Sequence, residues 1–151
     1  MKNTFFLLCA AMMLSLTSTA QKKKTTTAKV SVPEVVNSSF TARYAMVENN
    51  KWSKNLSGNY VASFSTEGDQ KQTVEFDDQG KQLKIVTVYN ETYPEALTSA
   101  IAAKPKFAQS KIKEASRIEI IGVDPYYKVK LENEDGSGRE IFVSDGGVIM
   151  E

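Results

Sequence analysis

Residues 60–80 read YVASFSTEGDQKQTVEFDDQG, and residues 127–147 read YKVKLENEDGSGREIFVSDGG. Aligned without a gap they share Tyr60/Tyr127, Glu67/Glu134, Asp78/Asp145 and Gly80/Gly147, four identities in 21 positions. The apolar parity says more. Ala62/Val129, Phe64/Leu131, Val74/Ile141 and Phe76/Val143 are apolar in both stretches, each two residues from the next within its run. A period of two is the pattern of strands with one buried face. A slip of one residue would turn every one of these side chains to water. Asp77-Asp78-Gln79-Gly80 and Asp145-Gly146-Gly147 end the two stretches with turn chemistry.

Upstream of each stretch lies a helix signal. Val32-Pro33-Glu34-Val35 precedes the first and Tyr93-Pro94-Glu95-Ala96 the second. Proline is well placed at the start of a helix, and the apolar spacing that follows predicts helices over about 33–44 and 94–103. Strands are expected at about 51–56, 60–64, 73–76, 82–89, 112–121, 126–131, 140–143 and 148–150. Together these predict an α+β fold of two tandem repeats, 32–90 and 91–150. Each would be one helix followed by a roughly four-stranded antiparallel sheet with one face covered by the helix.

The N-terminus has the three parts of a signal peptide. Lys2 gives the positive charge, Phe5 to Leu16 an apolar run, and Ser18-Thr19-Ala20 the small residues before a cut after Ala20. The run is shorter than the ~20 apolar residues of a spanning helix. Residues 21–31, with Lys22, Lys23, Lys24 and Lys29 among threonines, read as a disordered basic linker. The expected location is periplasmic or secreted, with no transmembrane segment after signal cleavage.

Lys2 is the only charge in residues 1–20, so 18 basic face 18 acidic side chains in the rest. That balance argues against nucleic acid as a partner, which needs a basic surface. Cys9 is the single cysteine and falls in the signal segment; the chain has no histidine. Imidazole and thiolate nucleophiles, disulfides and the usual zinc sites are thereby excluded from residues 21–151. No glycine-rich phosphate loop precedes a helix. Carboxylates alone could still make an acid–base pair. Asp77 and Asp78 are adjacent and point apart, and Asn133-x-Asp135-x-Ser137-Gly138 starts like a calcium loop but has Ser144 where a bidentate Glu is required. No enzyme activity, cofactor or metal is expected.

The order of helix, strands, a tyrosine on a middle strand and an Asp-x-Gly turn after the next resembles the PepSY-like, β-lactamase-inhibitor-like (BLIP-like) family of exported bacterial proteins. The residues that carry it are Pro33-Glu34, Trp52, Tyr60-x-x-x-Phe64, Val74-x-Phe76-Asp77-x-x-Gly80, Pro94-Glu95, Tyr127 and Ile141-x-Val143-x-x-x-Gly147. The second half has no tryptophan matching Trp52, and the disulfides expected of the inhibitor itself are missing. The resemblance implies a tandem helix-plus-sheet fold, a periplasmic location and a non-catalytic role in binding or inhibition.

Candidate binding residues are large side chains whose parity points away from the helices. Tyr126 and Phe142 oppose Tyr127 and Ile141/Val143, and Val86 and Val88 oppose Ile85. Trp52 joins them as an aromatic anchor whose face the sequence leaves open. The expected function is a periplasmic binding or inhibitory module gripping a protein partner with its sheet face. The alternative is an envelope-associated structural or sensory protein binding a small ligand or cell-wall polymer.

Overall fold

A computed structural model of the chain describes residues 30–66 and 70–150. The expected signal peptide, most of the basic linker and the Glu67 half of one repeat identity lie outside the described residues. Helix α1 (Glu34–Arg43) precedes strands β1 (Lys51–Lys54), β2 (Tyr60–Ser65), β3 (Lys71–Phe76) and β4 (Gln82–Tyr89), and helix α2 (Glu95–Ala102) precedes β5 (Lys111–Ile120), β6 (Val123–Glu132), β7 (Gly138–Ser144) and β8 (Ile149–Met150).

The strands form one eight-stranded antiparallel sheet in the order β1-β2-β3-β4-β5-β6-β7-β8. This corrects the expected fold class of two tandem helix-plus-four-strand units: the protein is mostly β, with a single sheet and two short helices. The pairing of β4 with β5, from Lys84↔Ile120 to Tyr89↔Ala115, removes the boundary between halves. The physical reason lies in β4. Leu83 and Ile85 are apolar on one face, Val86 and Val88 on the other, and all four are half-buried. An eight-residue strand of this composition would be a sticky open edge if it ended a four-stranded sheet. The connection through α2 instead folds back over the sheet and brings β5 against it.

Both helices start at a proline, Pro33 and Pro94, whose carbonyls accept from Asn37 N–H and Thr98 N–H at 3.0 and 3.2 Å. Each buries an i, i+4 pair, Val36 and Phe40 in α1, Leu97 and Ile101 in α2. They nucleate two clusters on one face of the sheet. One holds Val36, Phe40, Tyr60, Ala62, Phe64, Val74 and Phe76; the other holds Leu97, Ile101, Phe107, Ala115, Tyr127, Val129, Leu131, Ile141 and Val143. All eight residues of the four apolar pairs read from the sequence are buried. Full burial of such side chains contributes roughly 1.5–3 kcal/mol each, so these clusters hold the helices down. Gly80 (φ +78°) and Gly147 (φ +80°) let turns pass close beneath α1 and α2. A Cβ on Gly80 would lie 2.8 Å from the Val35 carbonyl oxygen, and one on Gly147 3.0 Å from that of Ala96.

Candidate functional site

The register fixes which side chains share the face opposite the helices. One row across the sheet runs Lys51, Ser63, Thr73, Val86, Ile118, Tyr126, Ser144. The next runs Ser65, Lys71, Val88, Ser116, Lys128, Phe142, Met150. Four of the five residues singled out in the sequence, Val86, Val88, Tyr126 and Phe142, therefore stand on this face. Tyr126 and Phe142 meet edge to face with ring centroids 6.0 Å apart, an arrangement favoured by the ring quadrupoles. Neither is in a buried cluster, and Phe142 is 38% exposed. With Val123, Asp124, Pro125, Ser144 and Met150 they line an open groove of about 640 Å³. Val123, Val148 and Met150 are also exposed, so the β6–β8 end of the face is an apolar patch. Ile118, between Val86 and Tyr126, is the buried floor of the row.

Trp52 stands elsewhere. It pairs with Ala62, on the helix side of β1, and packs edge-on against Phe40 of α1 at 5.4 Å. It is half-buried against the first cluster and belongs to the support of α1, away from the Tyr126–Phe142 groove.

The helix side carries a group that sequence reasoning missed. Between the two apolar clusters, Arg117 of β5 donates to both oxygens of Asp145, Nε to Oδ1 at 2.8 Å and Nη2 to Oδ2 at 3.1 Å, and its Nη1 donates to Glu119. The Arg117 hydrogen bonds hold the Asp145 carboxyl below the usual carboxylate range, and the same bonds raise the guanidinium. Burial pushes the neighbouring phenols of Tyr89 and Tyr127 up. The fork satisfies its charges internally and pins the β7–β8 turn to β5. Its signal was parity: Arg117 and Glu119 face the helices while Ile118 and Ile120 face away, the reverse of the usual apolar-in pattern.

Asp77 and Asp135 serve their own turns. Asp77 Oδ1 accepts from Gln79 N–H and Lys81 N–H at 3.0 and 2.8 Å. Asp135 Oδ1 accepts from the backbone and hydroxyl of Ser137 at 2.9 and 2.6 Å, which holds its pKa down. Asn133, start of the calcium-like stretch, donates to Ser137 Oγ at 2.9 Å and accepts from Ser110 Oγ at 2.8 Å, as a hairpin turn would. Among the described residues no group of three or more Asp and Glu comes together as a metal site. Nor is any described helix long and apolar enough to cross a membrane.

No family model matches the sequence, and no curated protein does. Solved structures do match. A DUF2874 family protein from Bacteroides ovatus superposes with a TM-score of 0.68 at 18% identity, covering 81% of this chain and 86% of that one. A BLIP-like protein from Bacteroides fragilis gives 0.69 at 18% identity, over 81% of this chain and 85% of that one. The chain shares their fold. A candidate periplasmic protein from Bacteroides eggerthii matches similarly, with a TM-score of 0.67, 18% identity and coverage of 81% and 88%. The likeness supports the inhibitor-like half of the expected resemblance at the level of fold; the PepSY-like half has no support from these structures.

Proposed function

We propose that this protein is a non-catalytic periplasmic binding module that holds a protein partner against the sheet face opposite its helices. The observation that carries the reading is the Tyr126–Phe142 groove, an aromatic pair set in an exposed apolar patch on a sheet face that the chain's own helices leave open. Exposed apolar patches of this kind mark interaction surfaces, and aromatic side chains are the usual anchors. The fold shared with a BLIP-like protein and a candidate periplasmic protein points the same way. The half-buried Val86 and Val88 extend the apolar surface from the groove toward the centre of the sheet, which suits a partner larger than a small ligand.

The test is capture from a periplasmic extract on immobilised protein, comparing the wild type with Y126S/F142S. Recovery of specific proteins is expected to fall by more than about tenfold in the double variant, since the central aromatic anchors of an interface are where single truncations cost about 2 kcal/mol or more. Equal recovery by both would refute the reading.

A further inference from the structure

We propose that the notch at the opposite end of this same face, where β1 stops short of β2, takes the carboxylates of an acidic segment of the partner protein. The inference rests on the sheet-face reading and adds the chemistry of a second contact. The notch has a volume of about 400 Å³ and is walled by Lys51, Ser63, Ser65, Lys71 and Thr73 together with Asn49.

Charge is the first argument. The lysines Lys113, Lys128 and Lys130 in the other half of the sheet each hold a glutamate: Glu132 at 2.9 Å, Glu140 at 3.0 Å and Glu114 at 2.9 Å. Lys51 and Lys71 have no carboxylate within ion-pair distance among the described residues. Glu75, an acid on this face of β3, is taken by the amides of Asn55 and Asn59, both at 2.7 Å. Two lysines thus wall the notch together with Ser63, Ser65 and Thr73, whose hydroxyls can donate to the same kind of oxygen.

Spacing is the second. Lys51 lies opposite Ser63, and Lys71 opposite Ser65, two residues further along β2. The two lysines are therefore offset along the strand by about 6.6 Å, the repeat of alternate side chains in an extended chain. Because β2 lies between them they also stand about 9.6 Å apart across the sheet, about 12 Å in all between backbone positions, a gap that two long lysine side chains can narrow toward the acidic residues of one segment laid over that corner.

The backbone is the third. The β1 ladder ends at Lys51↔Ser63, while β2 runs on to Ser65. Thr66 N–H turns inward to Gln70 O at 2.9 Å, so the alternate residue, Ser65, turns its backbone groups outward, beyond the last residue of β1 and toward the coil at Asn49 that walls the notch. An extended segment can pair there as a short continuation of the sheet, which is a common mode of peptide recognition. The notch and the aromatic groove are about four strand spacings apart, roughly 20 Å. One partner surface, apolar at one end and acidic at the other, spans both.

The probe is a fluorescein-labelled hexaglutamate peptide, read by anisotropy on the full chain at low ionic strength, with hexaglutamine as reference. Hexaglutamate is expected to bind at least about tenfold more tightly than hexaglutamine. K51Q/K71Q should lose that preference, K51R/K71R should keep it, and K113Q/K130Q, with the same change in net charge, should stay within about threefold of wild type. E67Q/D69N removes the acids closest to Lys71 in sequence and should bind as well as wild type or better. Equal loss in K51Q/K71Q and K113Q/K130Q would reduce the effect to net charge and overturn the proposal. So would weaker binding by E67Q/D69N, or binding of phosphatidylglycerol vesicles through these lysines with no binding of the peptide. If extract proteins are captured through Tyr126 and Phe142 but hexaglutamate is not bound, the notch fails and the groove stands. Lysine-dependent peptide binding with capture indifferent to the aromatic pair is the converse result.

Discussion

Replacing Gly80 by alanine tests how closely the β3–β4 turn is pressed against α1. The built Cβ would lie 2.5 Å from Ser39 Oγ and 2.8 Å from the Val35 carbonyl oxygen. The first obstacle can rotate; the second is helix backbone and cannot. Two costs add. A non-glycine residue at φ +78° loses about 1–2 kcal/mol, and forcing a methyl group into a filled space loses about 1–3 kcal/mol. The sum is about 2–5 kcal/mol. Gly122→Ala is the matched control, because Gly122 has φ +76° and nothing within 4 Å of its Cβ position. It carries only the conformational cost, so the difference between the variants isolates the clash. Urea unfolding followed by fluorescence suits the question. Trp52 is the only tryptophan, and it sits 5.4 Å from Phe40 of α1. With a slope of about 1–3 kcal/mol per molar urea, the extra 1–3 kcal/mol lowers the midpoint by roughly 1 M. Adding S39A should recover part of the loss, because the Val35 carbonyl remains. Variants G80A and G122A equal to within about 0.5 kcal/mol would refute the close approach.

Leu97→Ala removes a fully buried side chain from the second cluster and should cost about 2–5 kcal/mol by chemical denaturation. Phe107→Ala, in the segment after α2, should cost about 3–5 kcal/mol although no regular element holds it, because its ring is 3% exposed. For Asp145 the folded pKa lies below the unfolded one. Its contribution is therefore present above the unfolded value near 3.9 and fades as pH falls through the folded value. D145N should flatten the acid side of the stability profile below about pH 4 while costing under about 1 kcal/mol at pH 7, since the carboxylate is 45% exposed. Phe142→Ser should cost about 1–3 kcal/mol in a thermal melt, the loss of its partial burial and of its edge contact with Tyr126.

Alternation made the strands legible. The run 82–89 was bounded to the residue, and both helix starts were announced by Pro33 and Pro94. The number of sheets was not, because strand pairing is set by contacts between distant segments. A hint lay in β4, apolar on both faces, which suits a central strand better than an edge. Val86, Val88, Tyr126 and Phe142 could be assigned a face because each neighbours a residue whose inward parity was clear. Trp52 could not: β1 has four residues and no second apolar one to set a phase. Phe107 was missed for a related reason, an isolated apolar residue between Lys106 and Ala108 with no period around it. The Arg117–Asp145 fork joins residues 28 apart whose connection no local pattern announces.

Every strand bonds only to the strands next to it in the chain. Seven hairpin-like closures therefore build the whole sheet, and all but one span turns of at most five residues. The exception is the passage through α2 from Tyr89 to Lys111. Loop-closure entropy grows only slowly with length, and local pairings speed assembly. Such a sheet can zip up progressively from its leading end as the polypeptide emerges, with the late joining of β5 to β4 as its slowest step.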